Sequence, residues 1–289
     1  MKQVVILSGK GGTGKTSLAA AFAAIEKNCI VVDCDVDAPD LHILMKPKVI
    51  KTKDFYGLKL ASIDKNKCVQ CGSCINNCRF EAISDDYIVD PVSCEGCGVC
   101  SLVCPANAIT YIDKKAGEIY ISETKYGPMV HALLIPGEEN SGKLVTMTRF
   151  SANMVAYEEK KDFIIIDGAP GIGCPVISSI SNTNFAIVIT EPTESGLHDL
   201  KRVIELIDNF NSKPFVIINK FDINNEKTLE IKNYCESKNI SVLGEIPFDI
   251  IFIKAMLEGA NIIDYSPESE ISLLIRKIWS KFKKLTEKN

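Results

Sequence analysis

A glycine-rich turn between a short strand and a helix constrains this 289-residue chain more than any other feature. Val4-Val5-Ile6-Leu7 is β-branched and apolar, the pattern of a buried strand. It leads into Gly9-Lys10-Gly11-Gly12-Thr13-Gly14-Lys15-Thr16, after which Ser17 to Glu26 reads as an alanine-rich helix. Glycines there let backbone N–H groups turn inward around phosphates, and the helix N-terminus adds a favourable dipole. The spacing G-x4-G-K-[ST] in this context is that of a phosphate-binding loop. Lys15 is expected to reach the β- and γ-phosphates and the Thr16 hydroxyl to hold Mg²⁺. Gly9, Gly11, Gly12, Thr13, Gly14 and Ser17 complete the expected shell.

Later segments repeat the strand-then-polar-end pattern. Cys29 to Val32 runs into Asp33-Cys34-Asp35-Val36-Asp37, and Asp162 to Ile166 runs into Asp167. Carboxylates at the C-terminal ends of strands lie where doubly wound sheets bind ligands. Capping of the next helix is the competing use of the first cluster. Asp167 is expected to act on Mg²⁺ through its water shell. Gly168 to Gly173 has the flexible composition of a moving switch. Further strands are expected at 185–190, 215–219 and 241–246, with helices between them. The expected fold is therefore α/β, a doubly wound and mostly parallel sheet covered on both faces.

Hydrophobic residues make up 46% and charged residues 24% of the chain, which excludes intrinsic disorder. A formal charge of −4 argues against a nucleic-acid binder. The apolar runs are too short for a membrane span or a signal peptide, so a cytoplasmic protein is expected.

Twelve cysteines in a reducing compartment point to metal ligation, not disulfides. Eight of them form Cys68-x2-Cys71-x2-Cys74-x3-Cys78 and Cys94-x2-Cys97-x2-Cys100-x3-Cys104-Pro105. Each recurs after 26 residues, as does Ala82-Ile83-Ser84 in Ala108-Ile109-Thr110, so the segment is an internal duplication. Three thiolates at two-residue gaps can wrap one cubane, with the fourth ligand from the other half. Cys68, Cys71, Cys74 and Cys104 are assigned to one [4Fe-4S] cluster, and Cys94, Cys97, Cys100 and Cys78 to the other. Zinc is the alternative, but its ribbons use paired C-x2-C units set farther apart. Over residues 60–112 the segment resembles a bacterial two-cluster ferredoxin, except that Arg79 stands where that family usually has proline.

Lys10 ahead of Gly11-Gly12-Thr13-Gly14-Lys15-Thr16 resembles the deviant Walker A class of P-loop ATPases. That class includes MinD-like and ParA ATPases, Mrp-type cluster carriers and the nitrogenase iron protein. The resemblance implies a nucleotide-sandwich homodimer in which Lys10 reaches the partner's phosphates, as an arginine finger does. It also implies that Asp35 orients the attacking water, with Asp33 or Asp37 supporting Mg²⁺. Asn219 would read adenine, and the segment of Pro247 would close the base pocket. Glu191 to Gly196 would border the dimer interface. Cys174 lies seven residues after Asp167, the offset of a cluster ligand in the nitrogenase iron protein. Its companion cysteine upstream is missing here, so a buried thiol is expected instead.

Ile271, Leu274, Ile275, Ile278, Phe282 and Leu285 fall on one helical face of a basic C-terminal segment, 271–289. Docking on the sheet is expected, and peripheral membrane contact, as at the end of MinD proteins, is the alternative. His42, His131 and His198 have no metal-like spacing, and residues 117–150 receive no mechanism.

The expected organisation is a discontinuous ATPase, 1–59 and 113–289, carrying an inserted ferredoxin-like domain, 60–112. The leading functional expectation is ATP hydrolysis coupled to electron transfer, with a redox or cluster-accepting protein as partner. A cluster-delivery ATPase and a positioning ATPase with structural clusters are the alternatives.

Overall fold

The apolar runs ending at Leu7, Asp33, Asp167, Thr190, Asn219 and Ile246 all become strands of one sheet. The computed structural model describes residues 1–287; positions 288 and 289, the end of the 113–289 and 271–289 segments, lie outside the described residues. In chain order the first half contains β1 (Lys2–Leu7), α1 (Lys15–Ile25), β2 (Cys29–Asp33), α2 (Leu41–Met45) and β3 (Lys48–Ile63). Next come α3 (Ser73–Asn76), α4 (Val99–Leu102), β4 (Ile109–Thr124), β5 (Gly127–Leu134) and α5 (Ser141–Glu158). They are followed by β6 (Phe163–Asp167), α6 (Cys174–Ile180), β7 (Phe185–Thr190), α7 (Glu194–Ile207) and β8 (Lys213–Asn219). The chain closes with α8 (Asn225–Ser237), β9 (Ser241–Ile246), α9 (Ile251–Leu257), α10 (Ile262–Tyr265) and α11 (Glu270–Thr286).

The chain divides into two units. The first comprises Met1–Thr52, Ile119–Leu133 and Ser141–Asn289, and the second Lys53–Glu118 and Leu134–Asn140. The strand order is β3-β4-β5-β2-β6-β1-β7-β8-β9, and β1, β2 and β5 to β9 pair in parallel. β1 lies between β6 and β7, so the crevice at its C-terminal end is where this topology takes ligands. Register places Asp167 beside both Ile6 and Asp33. The 117–150 stretch supplies the end of β4, all of β5 and the start of α5; β5 extends the sheet against Val31 and Val32.

The C-terminal stripe docks on the sheet. Ile271, Ile275, Ile278, Trp279 and Phe282 are buried in the core that also holds Phe22, Phe163, Phe185 and Phe215. The Trp279 ring stacks on Phe22 at 4.8 Å, and Phe282 meets Phe185 and Phe215 edge-on. Trp279 Nε1 donates to Glu26 Oε2 at 3.1 Å, so its polar edge is satisfied. Gly244 permits the fit, since a Cβ there would stand 2.5 Å from Ile278 Cγ1. This face is therefore taken up by the protein's own core. No helix among the described residues is long and apolar enough to cross a membrane.

The 26-residue repeat is also a structural one within the second unit. Left-handed backbone recurs at Gln70 and Gly96, Gly72 and Gly98, and Glu81 and Asn107. The N–H of Asp64 donates to Ala108 O at 2.8 Å and that of Asp90 to Ala82 O at 2.7 Å, tying each half to the other. Gly96 cannot carry a side chain, because its Cβ would fall 2.2 Å from Lys59 O.

Trp279→Ala is expected to lower the unfolding free energy by about 3–5 kcal/mol, the range for large-to-small changes in a packed core. Urea denaturation checks this; a loss below about 1 kcal/mol would mean that α11 does not anchor the core.

Candidate functional site

Positive φ at Gly12 (79°) and Gly14 (91°) turns the loop after β1 back on itself and starts α1 at Lys15. Such backbone favours glycine. A cavity of about 610 Å³ opens there, lined by Gly11, Gly12, Thr13, Gly14, Lys15, Thr16 and Ser17 from the loop and by Asp35. Ser8, Asp40, Pro170 and Met256 also line it; Pro170 belongs to the expected switch segment, whereas Ser8, Asp40 and Met256 are not among the expected site residues. Asp40 precedes α2 in the acidic stretch already singled out, whereas Met256 arrives from α9 with no local signal. The Thr13 hydroxyl is buried with no hydrogen-bond partner among the described residues, as expected of a group that a polar ligand would satisfy.

Asp33 and Asp167 are each about 1% exposed and do not line the cavity themselves; they lie behind Lys15, which does. Lys15 Nζ lies 2.5 Å from Asp167 Oδ1. Burial works to lower the Lys15 pKa, but the carboxylates of Asp167, Asp33 and Asp35 outweigh it and hold it above its usual value. Asp33 is pushed up to about 8 by burial and by the neighbouring Asp167. It accepts from the N–H of Asp35 at 3.0 Å and of Leu41 at 3.2 Å, so it also caps the start of α2. Asp35 is half-buried and raised in the same direction, by burial first. Asp37 is exposed and does not line the cavity.

Gly9 and Lys10 point elsewhere. A Cβ on Gly9 would stand 2.2 Å from that of Asp199. Lys10 Nζ lies 3.3 Å from Glu191 Oε2 and 3.3 Å from Ser195 Oγ, within its own chain. Glu191 also pairs with Lys220, which reaches Gly12 O at 3.2 Å. Asn219 Nδ2 donates to Thr13 O at 2.8 Å, bracing the loop and leaving a second amide hydrogen for a ligand. Asn219 and Pro247 line an adjoining cavity of about 570 Å³ together with Phe248, Phe252 and Ile253. Cys174, expected to be buried, is exposed: it is the first residue of α6, immediately after the Gly168 to Gly173 loop.

In the second unit the eight cysteines sort into two cavities. One, of about 290 Å³, is lined by Cys68, Cys71, Cys74 and Cys104; the other, of about 360 Å³, by Cys78, Cys94, Cys97 and Cys100. Each holds three sulfurs from one half and a fourth from the other. Matching amides face the crossing cysteines, Ala82 N–H donating to Cys78 Sγ at 3.4 Å and Ala108 N–H to Cys104 Sγ at 3.3 Å. Among the described residues no three His, Cys, Asp or Glu side chains converge on a point as a single ion requires. A cubane is a cage several atoms wide, whose ligands spread around a cavity.

A family model for the CobQ/CobB/MinD/ParA nucleotide binding domain (CbiA) matches residues 4–262. The chain belongs to this family. It is 33% identical over 284 residues to an uncharacterized protein of Methanocaldococcus jannaschii, covering 97% of this chain and 96% of that one. Against the septum site-determining protein MinD of Bacillus subtilis identity is 24%, with 95% and 86% covered. The cell division ATPase MinD of Pyrococcus furiosus superposes with a TM-score of 0.63 at 18% identity, 99% of each chain covered. The MinD of Pyrococcus horikoshii, complexed with Mg-ADP, gives 0.62 at 18% identity, with 98% and 96% covered. The fold is thus the MinD-like α/β P-loop fold, and the loop cavity is the nucleotide-binding end of a CobQ/CobB/MinD/ParA domain.

A carboxyl whose folded pKa is raised contributes stability below its unfolded pKa and loses it as pH rises through the folded value. For Asp33 that window runs from about 4 to about 8. Asp33→Asn is therefore expected to gain stability relative to the unsubstituted, nucleotide-free chain as pH rises from 4 to 9. Urea unfolding across that range checks it, and a pH-independent difference would refute it.

Proposed function

We propose that the chain is a nucleotide-switched ATPase, acting as a homodimer, whose closure governs electron transfer at two [4Fe-4S] clusters. The observation that carries the cluster half is the sorting of eight cysteines into two four-cysteine cavities with crossed membership. Cys68, Cys71, Cys74 and Cys104 would hold one cluster, and Cys78, Cys94, Cys97 and Cys100 the other. When bound, such clusters supply one-electron transfer. The family match bears on nucleotide binding alone; the cysteine reading rests on this chain's own geometry.

On the nucleotide side, loop amides from Gly11 to Thr16 bind phosphate oxygens and Lys15 leaves Asp167 for the β- and γ-phosphates. Thr16 would hold Mg²⁺, with Asp167 and Asp33 acting through its water shell. Asp35 orients the water that attacks the γ-phosphate. Lys10 leaves Glu191 to neutralise charge on the partner's nucleotide, and the buried Glu191 carboxylate keeps Lys220 as its second partner. Asn219, Pro247 and Phe248 enclose the base.

Chain connectivity supports the coupling. α6 begins at Cys174, directly after the Gly168 to Gly173 switch. α5 begins at Ser141, directly after the chain leaves the second unit at Asn140. Gly142 and Cys174 pack so closely that a Cβ on Gly142 would lie 3.2 Å from Cys174 Cβ. A displacement of the switch is thus passed to the helix that receives the chain from the cysteine unit. A MinD-like positioning ATPase is partly consistent with the family match, but its membrane-anchored form and cluster delivery are each less well served. A positioning ATPase anchored through its C-terminal helix would need the face that α11 buries. Cluster delivery is served by an exposed, shared cluster, whereas all eight of these cysteines line closed sets of four.

Material isolated anaerobically is expected to carry about eight irons per chain. Its paramagnetic resonance signals on reduction should change when ATP is added; identical signals and acceptor-reduction rates with and without ATP would remove the coupling. Lys15→Ala is expected to abolish nucleotide binding in calorimetry. Lys10→Ala should bind normally yet lose hydrolysis by about 10³-fold, the scale of a missing finger in trans, and unchanged turnover would contradict its role.

A further inference from the structure

β8 and β9 stay paired up to Asn219 and Ile246, and beyond those residues the chain leaves the sheet in two loops. One passes through left-handed backbone at Lys220 (φ 56°) into a single 3-10 turn, Phe221–Ile223. The other runs Pro247-Phe248-Asp249 toward α9. Both line the cavity of about 570 Å³ beside the phosphate loop, through Asn219 and Lys220 on one side and Pro247, Phe248 and Asp249 on the other. One hydrogen bond ties the two loops: the N–H of Phe248 donates to Asp222 Oδ1 at 2.7 Å, across 26 residues. Asp222 itself does not line the cavity. Asp249 serves its own helix, accepting from the N–H of Ile251 at 2.8 Å. Phe248 is 54% exposed, so packing holds its ring weakly and its place depends on how its backbone is held.

We propose, on the nucleotide-binding reading above, that Asp222 is a positioning residue for the base: by holding the Phe248 N–H it sets the Phe248 ring as the wall on which a purine stacks. A carboxylate accepting from a backbone N–H makes a charge-assisted hydrogen bond, roughly twice as strong as a neutral one. Pro247 has its φ fixed by its ring, so few torsions remain to place Phe248 once its N–H is held. Stacking on an aromatic ring tolerates any base, because every base has a π-face. The polar contact is left to Asn219, whose Oδ1 accepts from the N–H of Lys220 at 3.0 Å and whose Nδ2 donates to Thr13 O at 2.8 Å. Its remaining amide hydrogen suits a ring nitrogen such as N7 of a purine. A carboxylate that read the base directly would seek the donor hydrogens of guanine. Asp222 stands outside the cavity and acts on the base through Phe248.

The test is calorimetric titration of the full chain with Mg-ATP and, as a probe that has no base, with inorganic tripolyphosphate and Mg²⁺. Asp222→Ala is expected to weaken Mg-ATP binding about tenfold, the scale of one lost base–aromatic stack, and to leave tripolyphosphate binding unchanged. Phe248→Ala should do the same, and the double variant should bind no more weakly than either single one, because the two residues act as a unit. Asp222→Asn keeps an oxygen for the Phe248 N–H and should hold Mg-ATP affinity within about threefold of the unsubstituted chain. Equal losses for Mg-ATP and tripolyphosphate would mean that Asp222 merely supports the fold. An Asp222→Asn loss as large as that of Asp222→Ala would mean that the carboxylate reads the base itself. Either result overturns the inference, as do additive losses in the double variant or unchanged Mg-ATP binding in Asp222→Ala. An unsubstituted chain that binds tripolyphosphate as tightly as Mg-ATP overturns it while phosphate binding stands. One that binds neither overturns the nucleotide reading and this inference with it.

Discussion

The register of β2 against β6 sets Asp33 beside Asp167, and the nucleotide end of the molecule depends on that pairing. Two carboxylates at adjacent strand ends, both out of water, cannot both carry charge without compensation. Lys15 supplies one positive charge at 2.5 Å from Asp167, and two backbone N–H groups serve Asp33. That leaves one charge too many, and Asp33 meets it by keeping its proton toward pH 8. The pair is therefore balanced by a lysine and a proton. A triphosphate that draws Lys15 away must bring a cation of its own to the same carboxylates, which ties phosphate binding to divalent metal.

The second unit solves a different problem. The cluster around the repeat holds buried Ala61, Cys74, Ile83 and Ile109, with Cys78, Cys94, Cys100 and Cys104 among the residues packed against them. A cluster that small contributes modest burial energy. On the two-cluster reading its cysteines would be ligands, and the free energy of holding the bound group would become folding free energy. The crossing of Cys78 and Cys104 between halves then links the two loops of the repeat, as the paired Asp64 and Asp90 backbone hydrogen bonds do locally.

Much of this was legible because the informative residues are local in sequence. The loop from Gly9 to Thr16, the strand ends at Asp33 and Asp167, and the two cysteine runs each carry their chemistry within a few residues. Features built from distant segments were not legible. Met256 reaches the phosphate cavity from an element far along the chain, and nothing in its own sequence marks it. Lys10 reads as a free lysine, and its hold on Glu191 across 181 residues appears only when β7 is placed beside β1. β5 was hidden for another reason: residues 117–150 alternate weakly, and its place in the sheet comes from pairing with β2. Cys174 has the composition of a buried thiol, but its position at the first turn of α6 puts it at the surface.

Arg149 makes α5 and α6 a single body. Its side chain is 7% exposed and has no carboxylate partner among the described residues. The guanidinium donates instead to Ser178 O at 2.7 Å, to Ser181 O, and to Gln3 Oε1 at 2.8 Å. Two of these acceptors are carbonyls around the C-terminal end of α6, where the helix dipole is negative and a cation is favoured. Gly142 and Cys174 are in contact where both helices begin, and Arg149 joins α5 to the end of α6. The short α6 is thus held to α5 at both its ends, and a helix so held transmits a shift instead of absorbing it, because close-packed interiors leave little free volume. On the proposed reading, with Gly173 at the head of one helix and Asn140 before the other, movement of the switch and movement of the tether would become one displacement.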